Sequence, residues 1–216
     1  LVTLNDITEI EKKSEELRRT FSKLEKSQRE ITRQNRELQI LATRDPLTAL
    51  LNRRSLAVGF QTLFEEARDE EEELSCIMVD IDHFKSVNDR FGHSVGDVVI
   101  KLIARILTEH SRPNDLVGRY GGEEFLLVLP GVGSDIAFGI AERIRLAVQE
   151  GDDENPLSEA LEITSSFGVA ILAEASESYS VMLEQADKAL YSAKERGRNQ
   201  VVIWSSSMDE NTENDT

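Results

Sequence analysis

Two acidic clusters carry the chemistry this chain can offer. Gly121-Gly122-Glu123-Glu124-Phe125 sets two carboxylates at a glycine turn, between an apolar strand expected over 116–120 and another over 125–129 that Pro130 and Gly131 stop. Two such runs joined by Gly-Gly read as a β-hairpin. The second cluster closes the run from Ser75 to Asp82, an apolar strand with Asp80 and Asp82 two apart at its C-terminal end and hence on one face. Taken alone, Gly-Gly followed by acids is more often a solvated turn, and the second cluster changes that weighting. Carboxylates at a buried strand end are costly unless a cation pairs them. A hard ion such as Mg²⁺, which takes one or two carboxylates together with substrate phosphates, reconciles both clusters if hairpin and strand lie side by side.

Polar groups follow Asp80 densely: Asp82, His83, Lys85, Asn88, Asp89, His93 and Asp97 precede the next amphipathic helix. Together with the hairpin, this ordered run resembles the GGDEF family of diguanylate cyclases, in the GGEEF form, from about Leu41 to Trp204. The resemblance implies condensation of two GTP into cyclic di-GMP with release of two pyrophosphates, on two Mg²⁺ ions per site, with Mn²⁺ as a substitute. It assigns metal ligation to Asp80, the Ile81 carbonyl, Glu123 and Glu124, with Glu123 also the general base. Lys85, Lys194 and Arg198 fall on its phosphate-contacting cations, Asn88 and Asp97 on its guanine readers, and His93, Gly121 and Gly122 beside the substrate. For Asp82, hydrogen bonding behind the metal is at least as good a reading as direct ligation. A guanine reader of this kind is chemically sound, because a carboxylate accepts from N1–H and N2–H of guanine and adenine lacks that donor face.

In the same family, Arg112 and Asp115 fall on an inhibitory site for the product, and Arg143 is a secondary contact, although Gly139 stands where some members carry another arginine. Arginine can fork onto phosphate or stack on a base. Ala49 is a departure, since the family spelling Asp-x-Leu-Thr-Gly-Leu has glycine there, while Asp45, Leu47 and Thr48 are kept. Asp45 is expected to pair with Arg53 or Arg54.

The elements that must position these residues follow from apolar periodicity. Helices are expected around Leu56–Ala67, Val95–Ile106, Ile136–Val148 and Leu183–Ala193, with further strands over 163–172 and 199–204. The core order is β-α-β-β-α-β, an α/β ferredoxin-like arrangement with additions at both ends. Trp204 and Cys76 read as core, and the lone cysteine allows no disulfide within one chain. From Asp6, a helix start with Glu9 three residues on, no Gly or Pro occurs until Pro46. Ile10, Leu17, Leu24, Ile31 and Leu38 recur every seven residues, beside a second seam of Ile7, Ser14, Phe21, Gln28, Asn35 and Ala42. A helix of ~35 residues rises ~50 Å, longer than a small domain's face, so a parallel coiled-coil homodimer through 7–42 is the expected use.

The organisation is therefore 1–8 as the end of a PAS-like sensor domain lying upstream, on the strength of a strand closing in Asp6-Ile7-Thr8, then 9–44 as signalling helix, 45–204 as catalytic domain and 205–216 as acidic tail. The 216 residues carry 41 acidic and 25 basic side chains, a net charge of −16, which disfavours nucleic-acid polymers and anionic membranes as partners. Acid-rich stretches at 65–73, 150–154 and 209–215 are expected to be solvated loops and tail. No apolar run reaches the ~20 residues that span a bilayer, so a soluble cytoplasmic protein is expected. The rival reading from another class is a receptor that binds cyclic di-GMP or GTP without catalysis. Polar Gln28 and Asn35 in the seam cost stability while fixing register, as suits a two-register switch. Replacing both by Leu is expected to raise dimer stability and alter activity or its response to the upstream sensor, measured side by side with the parent. Unchanged activity and response would remove the switch.

Overall fold

The computed structural model describes residues 4–151, 162–173 and 176–208, with side chains of the first helix described at 13, 15 and from 17 onward. It falls into two units, Leu1–Ala42 and Thr43–Thr216. The first unit is helix α1 (Leu4–Thr43), 40 residues free of glycine and proline. Residues 4–8, expected to end a strand, belong to this helix. Ile7 already falls in the seven-residue period, and that continuity outweighs a short β-like stretch. Leu17, Leu24, Ile31 and Leu38 of one seam and Phe21 of the other are between 55% and 63% exposed, so one copy leaves the stripe in water. Residues 1–3 and the tail from 209, with their PAS and tail assignments, lie outside the described residues, as do 152–154 of the central acidic stretch.

The second unit runs α2 (Arg53–Glu70), β1 (Leu74–Ile81), α3 (Phe84–Phe91), α4 (His93–Glu109), β2 (Leu116–Arg119), β3 (Glu124–Pro130), α5 (Ser134–Glu150), β4 (Ser165–Ile171), α6 (Tyr179–Glu195) and β5 (Val201–Ile203). Its sheet is ordered β2-β3-β1-β4-β5. Strand β1 is antiparallel to both β3 and β4, and β5 joins parallel to β4 through α6, the helical crossover a parallel pair requires. This is the expected βαββαβ core with additions.

Every residue of β1 is buried, because both faces of the sheet are covered. Ile77, Val79 and Ile81 pack with α3, α4 and α5 on one face, while Cys76 and Met78 pack with α2 and α6 on the other. Each such side chain contributes roughly 1.5–3 kcal/mol by leaving water. Strand alternation then dictates that Asp80 shares the α6 face. Helix α6 lies very close to the sheet at Gly168, where a Cβ would run into the Ala186 carbonyl and the Leu190 backbone. Gly168 pairs with Met78, two residues before Asp80, so the close approach brings the end of α6 down to the acidic strand end.

Three local expectations are corrected. Helix α2 carries Glu65–Glu70, where a solvated loop was expected, because its apolar stripe Leu56, Phe60, Phe64 and Ala67 runs to its last turn and fixes the helix around the exposed acids. A separate helix, α3, occupies residues assigned only to a polar run; eight residues are too few to show a convincing period. Asp45 pairs with Arg119 at 3.3 Å, and neither Arg53 nor Arg54 takes that place. Arg53 instead stacks over Tyr120 at 4.5 Å.

Asp45 also accepts from the backbone N–H groups of Leu47 and Thr48 and from the Thr48 hydroxyl, which closes the turn leading out of α1. At the end of that turn Ala49 has φ 59°, the left-handed region. An L-residue there costs roughly 1–2 kcal/mol, part of which glycine returns through its looser unfolded chain. Ala49→Gly is therefore expected to stabilise the domain by about 0.5–1 kcal/mol, measured by urea unfolding; a loss of stability would contradict the strain.

Candidate active site

The antiparallel register of β1 and β3 sets Asp80 directly opposite Glu124, and the Ile81 N–H points to the Glu123 carbonyl at 3.4 Å. Lys194, in the last turn of α6, reaches the same place: its Nζ lies 2.9 Å from Asp80 Oδ2. Three carboxylates and one ammonium thus meet at the end of a buried strand. Burial pushes the Asp80 carboxyl above its ordinary value despite the Lys194 bond. Burial, and then the neighbouring Asp80 charge, also raise Glu123 and Glu124. Arg198 adds a weaker pull on Asp80.

Asp82 is occupied differently. Its carboxylate accepts from the Thr164 hydroxyl at 2.8 Å, the Ser166 hydroxyl at 2.7 Å and the Asn199 backbone N–H at 3.0 Å. With three donors bound, it ties β1 and β4 to the turn bearing Arg198. That geometry favours hydrogen bonding behind the site over direct ligation.

The hairpin turn is longer than a two-residue Gly-Gly loop. Tyr120 and Gly121 N–H groups both point to the Glu124 carbonyl, at 2.8 and 3.2 Å, and neither Gly121 nor Gly122 adopts a left-handed φ. A Cβ at Gly121 would meet the Glu124 carboxylate and push that side chain aside. At Gly122 a Cβ would meet nothing within 4 Å, so the turn backbone is open on that side. Arg119, which the sequence pattern did not single out, donates to the Gly122 carbonyl from Nη2 at 2.6 Å and from Nε at 3.1 Å while pairing with Asp45. Its position two residues before the glycines was the only signal available.

On the other face, Lys85 and Asn88 stand one helical turn apart on α3, and the Asn88 side chain packs against Gly96, next to Asp97 on α4. Lys85, His93 and Asp97 are exposed and Asn88 is half-buried. His83 begins α3 in a left-handed conformation, and His110 Nδ1 lies 2.9 Å from the Ile106 carbonyl; neither joins the acidic cluster. Away from it, Arg112, Pro113, Asn114 and Asp115 line a recess of about 510 Å³ with Glu72 and Gly131. The Arg112 N–H is held by Asp115 Oδ2 at 2.7 Å, and Arg143 reaches the His110 carbonyl at 3.0 Å, so all three candidate inhibitory residues gather around the end of α4.

Among the described residues, no three His, Cys, Asp or Glu side chains form a ready metal-ligand set. The donor chemistry nonetheless fits an ion that completes its shell with phosphate oxygens, since carboxylates crowded enough to hold their protons more tightly are relieved by added positive charge. The raised values also set a sign. The folded state binds these protons more tightly than the unfolded chain, so the stability they contribute is full below the unfolded pKa values near roughly 4 and falls as pH rises through the raised folded values. Glu124→Gln is expected to raise the thermal midpoint of the metal-free protein at about pH 7, with the gain shrinking toward about pH 4. A lower midpoint at neutral pH would contradict the crowding.

The chain matches the family described as diguanylate cyclase, GGDEF domain, over residues 42–200. It is 41% identical over 165 residues to the probable diguanylate cyclase DgcT of Escherichia coli, covering 76% of this chain and 36% of that protein. It is 36% identical over 164 residues to the diguanylate cyclase DosC of the same species, covering 76% of this chain and 35% of the relative. The chain thus spans about a third of the length of these relatives. Among solved structures, the coiled coil and GGDEF domain of DgcB from Caulobacter crescentus, in complex with c-di-GMP, superposes with a TM-score of 0.75 at 31% identity, covering 85% of this chain and 98% of that one. The active GGEEF domain of a diguanylate cyclase from Vibrio cholerae gives 0.68 at 36% identity, covering 73% and 99%.

Proposed function

This chain belongs to the GGDEF diguanylate cyclase family, and from that membership we propose that it condenses two GTP into cyclic di-GMP with release of two pyrophosphates. The observation that carries the reading is the register that sets Asp80 beside Glu124, with Glu123 in the adjoining turn and Lys194 on Asp80. Each half-reaction is attack of a ribose 3′-hydroxyl on an α-phosphorus. Glu123 takes the hydroxyl proton, and its raised pKa moves it toward the range useful to a general base. Asp80, Glu123, Glu124 and the Ile81 carbonyl would hold two divalent ions, Mg²⁺ or Mn²⁺. When bound, such ions supply charge neutralisation for the attacking and leaving oxygens.

Lys85, Lys194 and Arg198 hold the phosphates and offset the charge that develops on them. Asn88 and Asp97 read guanine, which their closeness across Gly96 supports, while His93 borders the substrate and Gly121 and Gly122 keep the turn clear for it. Arg112, Asp115 and Arg143 bind the product and inhibit. One site holds one GTP, so the reaction needs two copies facing each other. The exposed heptad seam of α1 supports that pairing, with an upstream sensor acting through it.

The decisive experiment incubates pure protein with Mg²⁺ and GTP, with and without Glu123→Gln, and measures cyclic di-GMP and pyrophosphate. The expected outcome is product from the parent and a loss of about 100-fold or more in the variant, the scale of removing a general base. No product from the parent across a wide concentration range, with GTP or cyclic di-GMP still bound, would establish the receptor reading.

A further inference from the structure

Among the described residues, the turn between α6 and β5 holds the longest run of left-handed backbone. Gly197, Arg198 and Asn199 have φ of 113°, 64° and 44°, three successive residues in the region that L-residues avoid. Arg198 costs roughly 1–2 kcal/mol there and Asn199 less, since asparagine tolerates the left-handed region, and such strain persists only where neighbours over-determine it. Asn199 supplies the contacts that do so. Its N–H is held by Asp82, its Oδ1 accepts from Arg145 Nη1 at 2.9 Å, and its Nδ2 donates to Gln149 Oε1 at 3.2 Å. Arg145 is itself fixed: its guanidinium pairs with Glu142 at 2.9 Å and donates to Gln149 at 3.0 Å, with its side chain only 15% exposed.

We propose that Arg145 is a positioning residue, which through Asn199 locks the Gly197–Asn199 turn and thereby fixes Arg198 and the end of α6 bearing Lys194 for the triphosphate of the substrate. This rests on the functional reading above. Helix α5 contributes nothing to the acidic cluster, so without this link Arg145 is an ordinary surface-helix arginine paired with its own helix. With it, the ordering of the cations is completed before substrate arrives. The Arg198 N–H bond to the Ala193 carbonyl at 3.0 Å and the Gln200 Nε2 bond to the same oxygen at 2.9 Å tie the turn to the residue preceding Lys194. Loosening Asn199 therefore loosens both cations together.

The test uses the whole chain with Mg²⁺, comparing the parent with Arg145→Ala, Arg145→Lys and Asn199→Gly. Glycine keeps the left-handed turn available while removing the side chain that Arg145 holds. Two quantities are read: KM against kcat for GTP, and the Kd of a non-hydrolysable GTP analogue by calorimetry. Arg145→Ala and Asn199→Gly are expected to raise KM and Kd about tenfold, one decade of affinity, with kcat within about threefold of the parent and Arg145→Lys recovering part of the loss. Unchanged KM and Kd in folded variants, or loss of thermal stability alone, overturns the positioning role while leaving the function intact. Parent protein that binds no GTP analogue overturns the functional reading and this proposal with it.

Discussion

Asp80 stands at the end of a strand whose every residue is buried, and its carboxylate faces Glu124 across the sheet with Glu123 in the next turn. Burial disfavours ionisation of all three groups, and the Asp80 charge adds to the effect on Glu123 and Glu124, so each holds its proton above the ordinary range. Lys194 offsets part of the charge, which is possible only because α6 settles on Gly168 closely enough for its last turn to reach the strand end. The close-packed sheet and helix thus sustain an arrangement of charge that would not persist in solvent. A site left short of positive charge is prepared for a ligand that brings it.

The charged groups are held by a set of hydrogen bonds that do not themselves touch the cluster. Arg119 grips the Gly122 carbonyl and, through Asp45, the turn that leaves α1. Asp82 grips β4 and the turn after α6. In each case a side chain with several donors or acceptors joins segments distant in sequence, so the catalytic hairpin and the cationic turn are each fixed from outside. Networks of this kind are stronger in a half-buried setting than in water.

Much of the fold was legible because periodicity reports burial. The unbroken apolar run that made Ser75 to Asp82 a strand persists because both faces of β1 leave water, and the stripe that made Leu56 to Ala67 a helix persists because one face of α2 does. The signals failed where the cause was not periodic. Helix α3 is too short to display a period, and Glu65–Glu70 is helical because an apolar stripe overrules its acidic surface. Asp45 took Arg119 as its partner where Arg53 or Arg54 was expected, because the bridge between Leu51 and Gly118 brings a distant arginine beside the Asp45 turn. The hairpin was found as two strands joined by Gly-Gly, but its turn is longer than two residues, because the Tyr120 and Gly121 N–H groups both close on the Glu124 carbonyl.

Sequence by itself determined the residue types of the site: acids at a strand end and a glycine turn, an amide and a carboxylate able to face guanine, and heptads that leave an apolar seam. These follow from local chemistry and short spacing, which one strand or helix is enough to interpret. Tertiary structure alone decided which of those groups meet. The Asp80–Glu124 register, Lys194 on Asp80, Arg119 on Gly122 and Arg145 on Asn199 each join residues from different elements. Such pairings are set by sheet order and by how closely a helix can approach, and no spacing along the chain encodes them.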